Sequence, residues 1–414
     1  VARMPRFLWS GSRQSEFDER QVCHVLSAAE SGVMVGFPSA IEARATLDNW
    51  LAAPFNRWSF LHTREIVASA AVNRGVDCAV ELPTQHGSPG QVEFRLPDGR
   101  GTTLDEFLDD SWTDGLIVVR HGAVEYEAYR NAMTPETPHI VMSVSKSITS
   151  LVVGILADRG VIDLSSLVTS YAPELLGTAY EGVTLQHLLD MQVACGWLED
   201  HESEASDVWR LDVASGWAPP REGAAPTLFD FVQQLPRGGV HGERVQYLSP
   251  NADLLGIIAE RATQSRLADL VSRELWKPCG MQYAADLAID PAGTAVADGG
   301  FCTTLRDLAL IGVLFLNRGK VGGRQVVPAW WLDECRREID KPFLAASTGA
   351  DIPDASYHNL WWRMDGRTFA LGINGQMVAV DDKAEMVAVF LSSSPGATDE
   401  VAVQRRIVAA LAEV

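Results

Sequence analysis

Met142-Ser143-Val144-Ser145-Lys146-Ser147, running on into Ile148-Thr149-Ser150-Leu151-Val152-Val153-Gly154-Ile155-Leu156-Ala157, is the stretch from which the fold is read. Its apolar residues recur at helical spacing and predict a helix over 142–157, closed by Gly160. Ser143 and Lys146 lie three residues apart, so a helix places both on one face about one turn along. A serine beside a lysine is a nucleophile beside a base. Desolvation on a buried helix would lower the lysine pKa toward that role. The serine stands at the helix N-terminus, where unpaired N–H groups favour developing negative charge. Four residues alone also describe a capped helix with an exposed lysine, so the S-x-x-K pair needs its context to carry chemistry.

Outward from this helix the pattern changes period. Leu116–Val119 and Ala123–Tyr129 are β-prone runs around Arg120-His121-Gly122, a hairpin signal. Residues 79–101 hold Pro83, Gly87, Pro89, Gly90, Pro97, Gly99 and Gly101 and read as loop or extended chain. Residues 162–290 read as helices and loops with few strand signals. A helix follows over 303–318, capped by Thr303 or Thr304 and ended by Gly319. Strands are expected at Asn359–Arg363, Thr368–Ile373, Met377–Val380 and Met386–Leu391, and a last helix from about Thr398 to Leu411. The expected fold is α/β (α+β): a central antiparallel sheet flanked by helices, built from 51–161 and 291–414. An all-helical domain occupies 162–290. Residues 1–50 form an N-terminal arm with a short helix near Ile41–Leu51. The cleft between the domains is the expected site.

Composition narrows the function classes. The 414 residues carry 34 Lys+Arg against 54 Asp+Glu, a formal charge of −20, which disfavours nucleic-acid and anionic-membrane partners. No apolar stretch is long enough to span a bilayer. Val1–Asn49 lacks an apolar run behind a basic start and does not read as a secretory signal. The six cysteines are scattered without a C-x-x-C pair and read as reduced thiols, so a cytoplasmic location is expected. The nine histidines form no H-x-x-x-H or H-x-H pair, and no metal is expected. G-x-S-x-G, G-x-x-x-x-G-K-[ST] and G-x-G-x-x-G are absent.

A second element, Gln246-Tyr247-Leu248-Ser249-Pro250-Asn251, precedes the apolar helix Leu254–Ala262. Tyr247 there could share a proton with Lys146 and pass it to a leaving group, or simply pack against the helix start. The loop Glu199–Asp207 holds five acids. It reads first as a solvated loop, and second as an acidic rim favouring an amine-bearing substrate. His201 within it stands between a substrate contact and a surface residue. Trp197, Trp209, Trp217, Trp361 and Trp362 read as packing before acyl pocket, and Cys195 as a buried thiol.

Together these segments resemble the serine β-lactamase-related hydrolases of the class C type, and within them the 6-aminohexanoate-dimer hydrolase group. The matching stretches, in order, are Asn56-Arg57-Trp58, Met142–Ser147, Leu189-Asp190-Met191-Gln192, Ala214-Ser215-Gly216-Trp217, Tyr247–Gly256, Gly299-Gly300-Phe301 with Thr304–Ala309, and Gly372-Ile373-Asn374-Gly375-Gln376. The resemblance spans roughly 50–414. It implies a β-lactamase/transpeptidase-like fold with Ser143 as the acylated nucleophile, Lys146 as its base and Tyr247 as the tyrosine of the Y-x-N element. It implies an oxyanion hole from the N–H groups of Ser143 and Ile373, on an edge strand Phe369–Ile373. His201, Ser249, Asn251 and Asn374 are the implied substrate contacts.

The chain departs from the pattern at three places. Ser249 replaces the asparagine of Y-x-N. Ala370-Leu371-Gly372 replaces the K-T-G element and lacks its cation, so β-lactamase activity is not expected. His201 stands where the nylon-oligomer enzymes present a tyrosine, so efficient cleavage of that dimer is not expected. The expected activity is hydrolysis of small linear amides or carboxyl esters, with no cofactor. A D-amino acid or small-peptide amidase, or a non-catalytic scaffold of the same fold, are the alternatives. A homodimer is left open.

Overall fold

The computed structural model describes residues 25–414 apart from 78, 86, 202–205, 207, 346, 350, 351, 353 and 399. Seven strands form one antiparallel sheet: β1 (Thr113–Arg120), β2 (Ala123–Tyr129), β3 (Ser356–His358), β4 (Trp361–Met364), β5 (Arg367–Gly372), β6 (Gln376–Asp381) and β7 (Met386–Ser392). Their order across the sheet is β3-β4-β5-β6-β7-β1-β2, so the chain closes the sheet by laying its C-terminal strands beside the early hairpin. That hairpin turns at His121 (φ 49°) and Gly122 (φ 79°). Left-handed values at both positions match the right-handed twist of the flanking strands. β1 is buried along almost its whole length, which explains its unbroken apolar run.

Four long helices frame the sheet and the site: α1 (Val144–Asp158), α2 (Pro250–Thr263), α3 (Leu305–Leu316) and α4 (Val401–Ala412). Helix α3 packs across β1, β6 and β7. Gly312 makes the approach close enough, since a Cβ there would stand 2.4 Å from Val387 Cγ1. Thr304 caps α3 by accepting from the Asp307 N–H, and Gly319 (φ 80°) ends it with a bond to the Leu314 carbonyl at 2.6 Å. Among the described residues no helix is long and apolar enough to cross a membrane.

The structure alters three expectations. A second antiparallel sheet pairs Ser69–Val72, Ala285–Ala288, Phe301–Thr303 and His139–Ile140, so the segment 162–290, expected to be all helical, ends in a strand. β5 is an interior strand rather than an edge, because β3 and β4 continue the sheet beyond it. Only a single 3₁₀ turn, Ile41–Ala43, forms where a helix to Leu51 was expected. Cys195, Cys279, Cys302 and Cys335 are free and buried. Cys23 and Cys78 lie outside the described residues, as do Glu202, Glu204 and Asp207 of the acidic loop.

Candidate active site

The short strand His139–Ile140 delivers the chain to the mouth of α1. The Val141 N–H donates to Phe301 O at 2.9 Å, and Ser145 Oγ accepts from the Phe301 N–H at 3.0 Å. These bonds staple the turn to the second sheet. Met142 adopts φ 46° immediately before Ser143. A left-handed conformation is strained for a non-glycine residue and persists only where its surroundings impose it. Ser143 then opens α1 without using its own side chain as a cap, which leaves Oγ for other work.

Lys146, one turn along, is 1% exposed. Its ammonium donates to Ser143 Oγ at 2.7 Å and to Asp298 O at 2.8 Å. Tyr247 comes from the segment before α2, and Lys146 Nζ sits 5.1 Å from its ring centroid. Tyr247 lines the cleft beside Ser143. The Tyr247 ring stacks on Trp362 at 5.8 Å and meets Tyr357 edge-on at 5.7 Å, so its position is set by packing.

Burial was expected to lower the lysine pKa. It does act that way, but Tyr247, Asp298, Glu199 and Asp253 outweigh it and hold the Lys146 ammonium above its ordinary value. Burial also raises Tyr247, and Glu199 adds to this; the Lys146 charge offsets only part. The resting pair is therefore an ammonium beside a neutral phenol. The form able to take the serine proton has one proton fewer, and it grows as pH rises. The expected kcat/KM for an activated ester climbs with pH through neutrality into the alkaline range, with slope near one. An acid optimum would show that the pair is not the base.

The other side of the nucleophile is the end of β5. A Cβ on Gly372 would stand 2.6 Å from Val141 O and 3.0 Å from Met142 Cβ. Only glycine lets β5 press this closely on the nucleophile turn, and Ile373 follows directly. Asn374 (φ 61°) then turns the chain, its amide donating to Ser394 O at 2.8 Å. The Asn56 amide donates to Ser393 O and Ser394 O. Arg57 pairs with Asp114 at 2.6 Å and donates to Ser393 Oγ. The Asn56-Arg57 segment thus braces the chain that holds the Ile373 turn.

Behind Lys146 lies a buried polar group that the sequence did not single out. Glu199, read as part of a solvated loop, is 3% exposed. It accepts from Ser249 N–H and Ser249 Oγ, both at 2.6 Å, and pairs with His201 Nε2 at 3.0 Å. His201 and Lys146 together hold its carboxyl below the usual range despite burial. Asp253 Oδ1 accepts from the Asp298 N–H at 3.0 Å, and burial pushes both carboxyls up. Asp212 is pushed up to about 6, chiefly by burial.

Three of the four expected substrate contacts are turned inward. Ser249 spends its donors on Glu199. Asn251 accepts from Tyr180 and donates to Met191 Sδ. Asn374 bonds Ser394. Each is buried, and none lines the cleft. His201 does, with Ser143, Glu199, Tyr247, Trp362 and Ile373, in a cleft of about 520 Å³. Leu371, Val401 and Arg405 continue the lining. Arg405 is held by Asp365 at 2.8 Å. A separate cavity of about 360 Å³ beside Arg64 and Asp286 contains Cys302, whose thiol burial pushes up to about 12, so it holds no ready nucleophile.

The site is thus a serine bonded to a buried lysine at the head of a helix, with a tyrosine and the end of a sheet strand beside it. Residues 102–413 match the Beta-lactamase family. The chain belongs to the Beta-lactamase family. It is 35% identical over 368 residues to a 6-aminohexanoate-dimer hydrolase of Paenarthrobacter ureafaciens, covering 87% of this chain and 91% of that protein. It is 31% identical over 193 residues to Esterase EstB of Burkholderia gladioli, covering 44% of this chain and 48% of the esterase. A solved structure described as a candidate 6-aminohexanoate-dimer hydrolase from Bacillus anthracis superposes with a TM-score of 0.82 at 30% identity, over 89% of this chain and 96% of that one. The chain is thus a serine hydrolase of this family, with its β-lactamase/transpeptidase-like fold.

Proposed function

We propose that this chain hydrolyses small linear carboxyl esters and amides through an acyl-enzyme on Ser143. The observation that carries the reading is the 2.7 Å bond between Lys146 Nζ and Ser143 Oγ, inside an open cleft that the end of β5 also lines. Ser143 Oγ attacks the carbonyl carbon, and its proton passes to the singly deprotonated Lys146–Tyr247 pair. The N–H groups of Ser143 and Ile373 stabilise the oxyanion, a contribution of about 3 kcal/mol per donor in comparable sites. Collapse breaks the carbonyl–leaving-group bond. The leaving alcohol or amine takes its proton from the pair. Water then attacks the acyl-enzyme by the same route and restores Ser143.

The relatives support both bond types: one is described as a dimer hydrolase, one as an esterase, and a Brucella D-aminopeptidase is 33% identical over 178 residues. The cleft wall of Trp362, Leu371, Ile373 and Val401 suits an aliphatic acyl group. A panel of p-nitrophenyl esters and matched p-nitroanilides tests the reading. Hydrolysis of neither by wild type, with no labelling of Ser143, would remove it. Tyr247→Phe is expected to slow anilides about tenfold more than activated esters, because a poor leaving group needs the proton more. Equal losses would take the leaving-group role away from Tyr247.

A further inference from the structure

We infer that Glu199 is a positioning residue of this reaction, tying the Tyr247 segment to the 195–201 loop and fixing where protons rest in the Ser143–Lys146–Tyr247 group. The inference rests on the Ser143 acyl-enzyme reading. Ser249, two residues after Tyr247, gives both its backbone N–H and its hydroxyl to the Glu199 carboxylate. A carboxylate from another loop thus takes up both donors of Ser249. Glu199 also lines the cleft beside Ser143 and Tyr247.

The groups facing Glu199 come from several elements. His201 lies on its own loop and Ser249 at the start of α2. Lys146 comes from α1, Asp212 from the helix Trp209–Ala214, and Asp298 from the chain before Phe301. Among the described residues Tyr180, Tyr247 and Tyr357 also face it. In that company Glu199 favours the protonated states of Lys146 and Tyr247. Removing the carboxylate therefore lowers both pKa values.

The test is the pH profile of kcat/KM for p-nitrophenyl butyrate, run beside the pH profile of Ser143 labelling by a fluorophosphonate. Glu199→Gln is expected to move the rising limb about one pH unit to lower pH and to reduce kcat about tenfold. Glu199→Asp keeps the charge but is one methylene short of spanning Ser249 and His201. It is expected to lose rate with the limb unmoved. A residue that only supports the fold would lower the rate and leave every limb in place, and that result overturns the inference. Labelling is read as a rate constant per active site, so a pH-independent unfolded fraction of a variant does not alter its profile. If Glu199→Gln does not fold, Glu199→Asp decides: an unchanged rate, or a limb that moves although the charge is kept, overturns the inference. Wild-type protein that is labelled but shows unmoved limbs in the variants removes the role of Glu199 alone, whereas wild-type protein that neither labels nor turns over removes the acyl-enzyme reading with it.

Discussion

Ser143→Ala is expected to lower kcat for p-nitrophenyl butyrate by about 10⁴-fold or more, leaving only the slow attack of water on a bound ester. The substitution removes one oxygen. Lys146 keeps its bond to Asp298 O, the Ser145–Phe301 staple is untouched, and α1 starts without a side-chain cap from Ser143. The melting temperature is therefore expected to stay within about two degrees of wild type. Loss of activity with an unchanged melt assigns the nucleophile. Retained activity in a folded variant would mean that another group attacks the substrate.

Lys146→Met is expected to cost about 10³-fold or more in kcat, and it should differ from the serine variant in stability. Methionine approximates the stem of lysine, so the buried volume is largely kept. What disappears is the cation that Asp298, Glu199 and Asp253 face. Asp253 and Asp298 can respond by holding protons, since both carboxyls are already pushed up by burial. Glu199 retains His201. The expected melting temperature is a few degrees below wild type near neutral pH, with the gap narrowing toward acid pH as these carboxyls neutralise. A Lys146→Met enzyme with near-wild-type turnover would show that the 2.7 Å bond to Ser143 is structural.

The parts of this fold that were legible in the sequence share one property: their signal is local. The β1–β2 hairpin carries its own turn residues, and α1 and α3 carry their own period and stops. The second sheet shows none of this. Its strands are two to four residues long, and Ser69 pairs with Ala288, a partner that no local pattern can indicate. β5 reads as a strand from its composition, but whether it is interior depends on β3 and β4, and β3 is only three residues long and joins β4 through Asn359 and Leu360, both at positive φ.

The site divides in the same way. Ser143, Lys146 and Tyr247 sit in ordered motifs, and the fold brings them together. Glu199 was hidden because an acid among acids reads as solvated. Its burial comes from donors on Ser249, fifty residues later, and from a histidine two residues away. Asn374 misled in the opposite sense. Beside Ile373 it resembles a substrate contact, yet its left-handed backbone aims the amide at Ser394 O and makes it part of the turn that presents Ile373. The lysine pKa also went against expectation: burial was foreseeable from the helix, whereas the acids around it arrive from distant parts of the chain.

The most direct test of the central claim is the intact mass of the protein quenched in acid during turnover of p-nitrophenyl butyrate, followed by peptide mapping. The account predicts a butyryl adduct on the peptide containing Ser143, formed in a burst stoichiometric with active sites and absent from Ser143→Ala. A burst with the adduct mapped to another residue, or rapid turnover that leaves no acyl adduct under any quench, would contradict it.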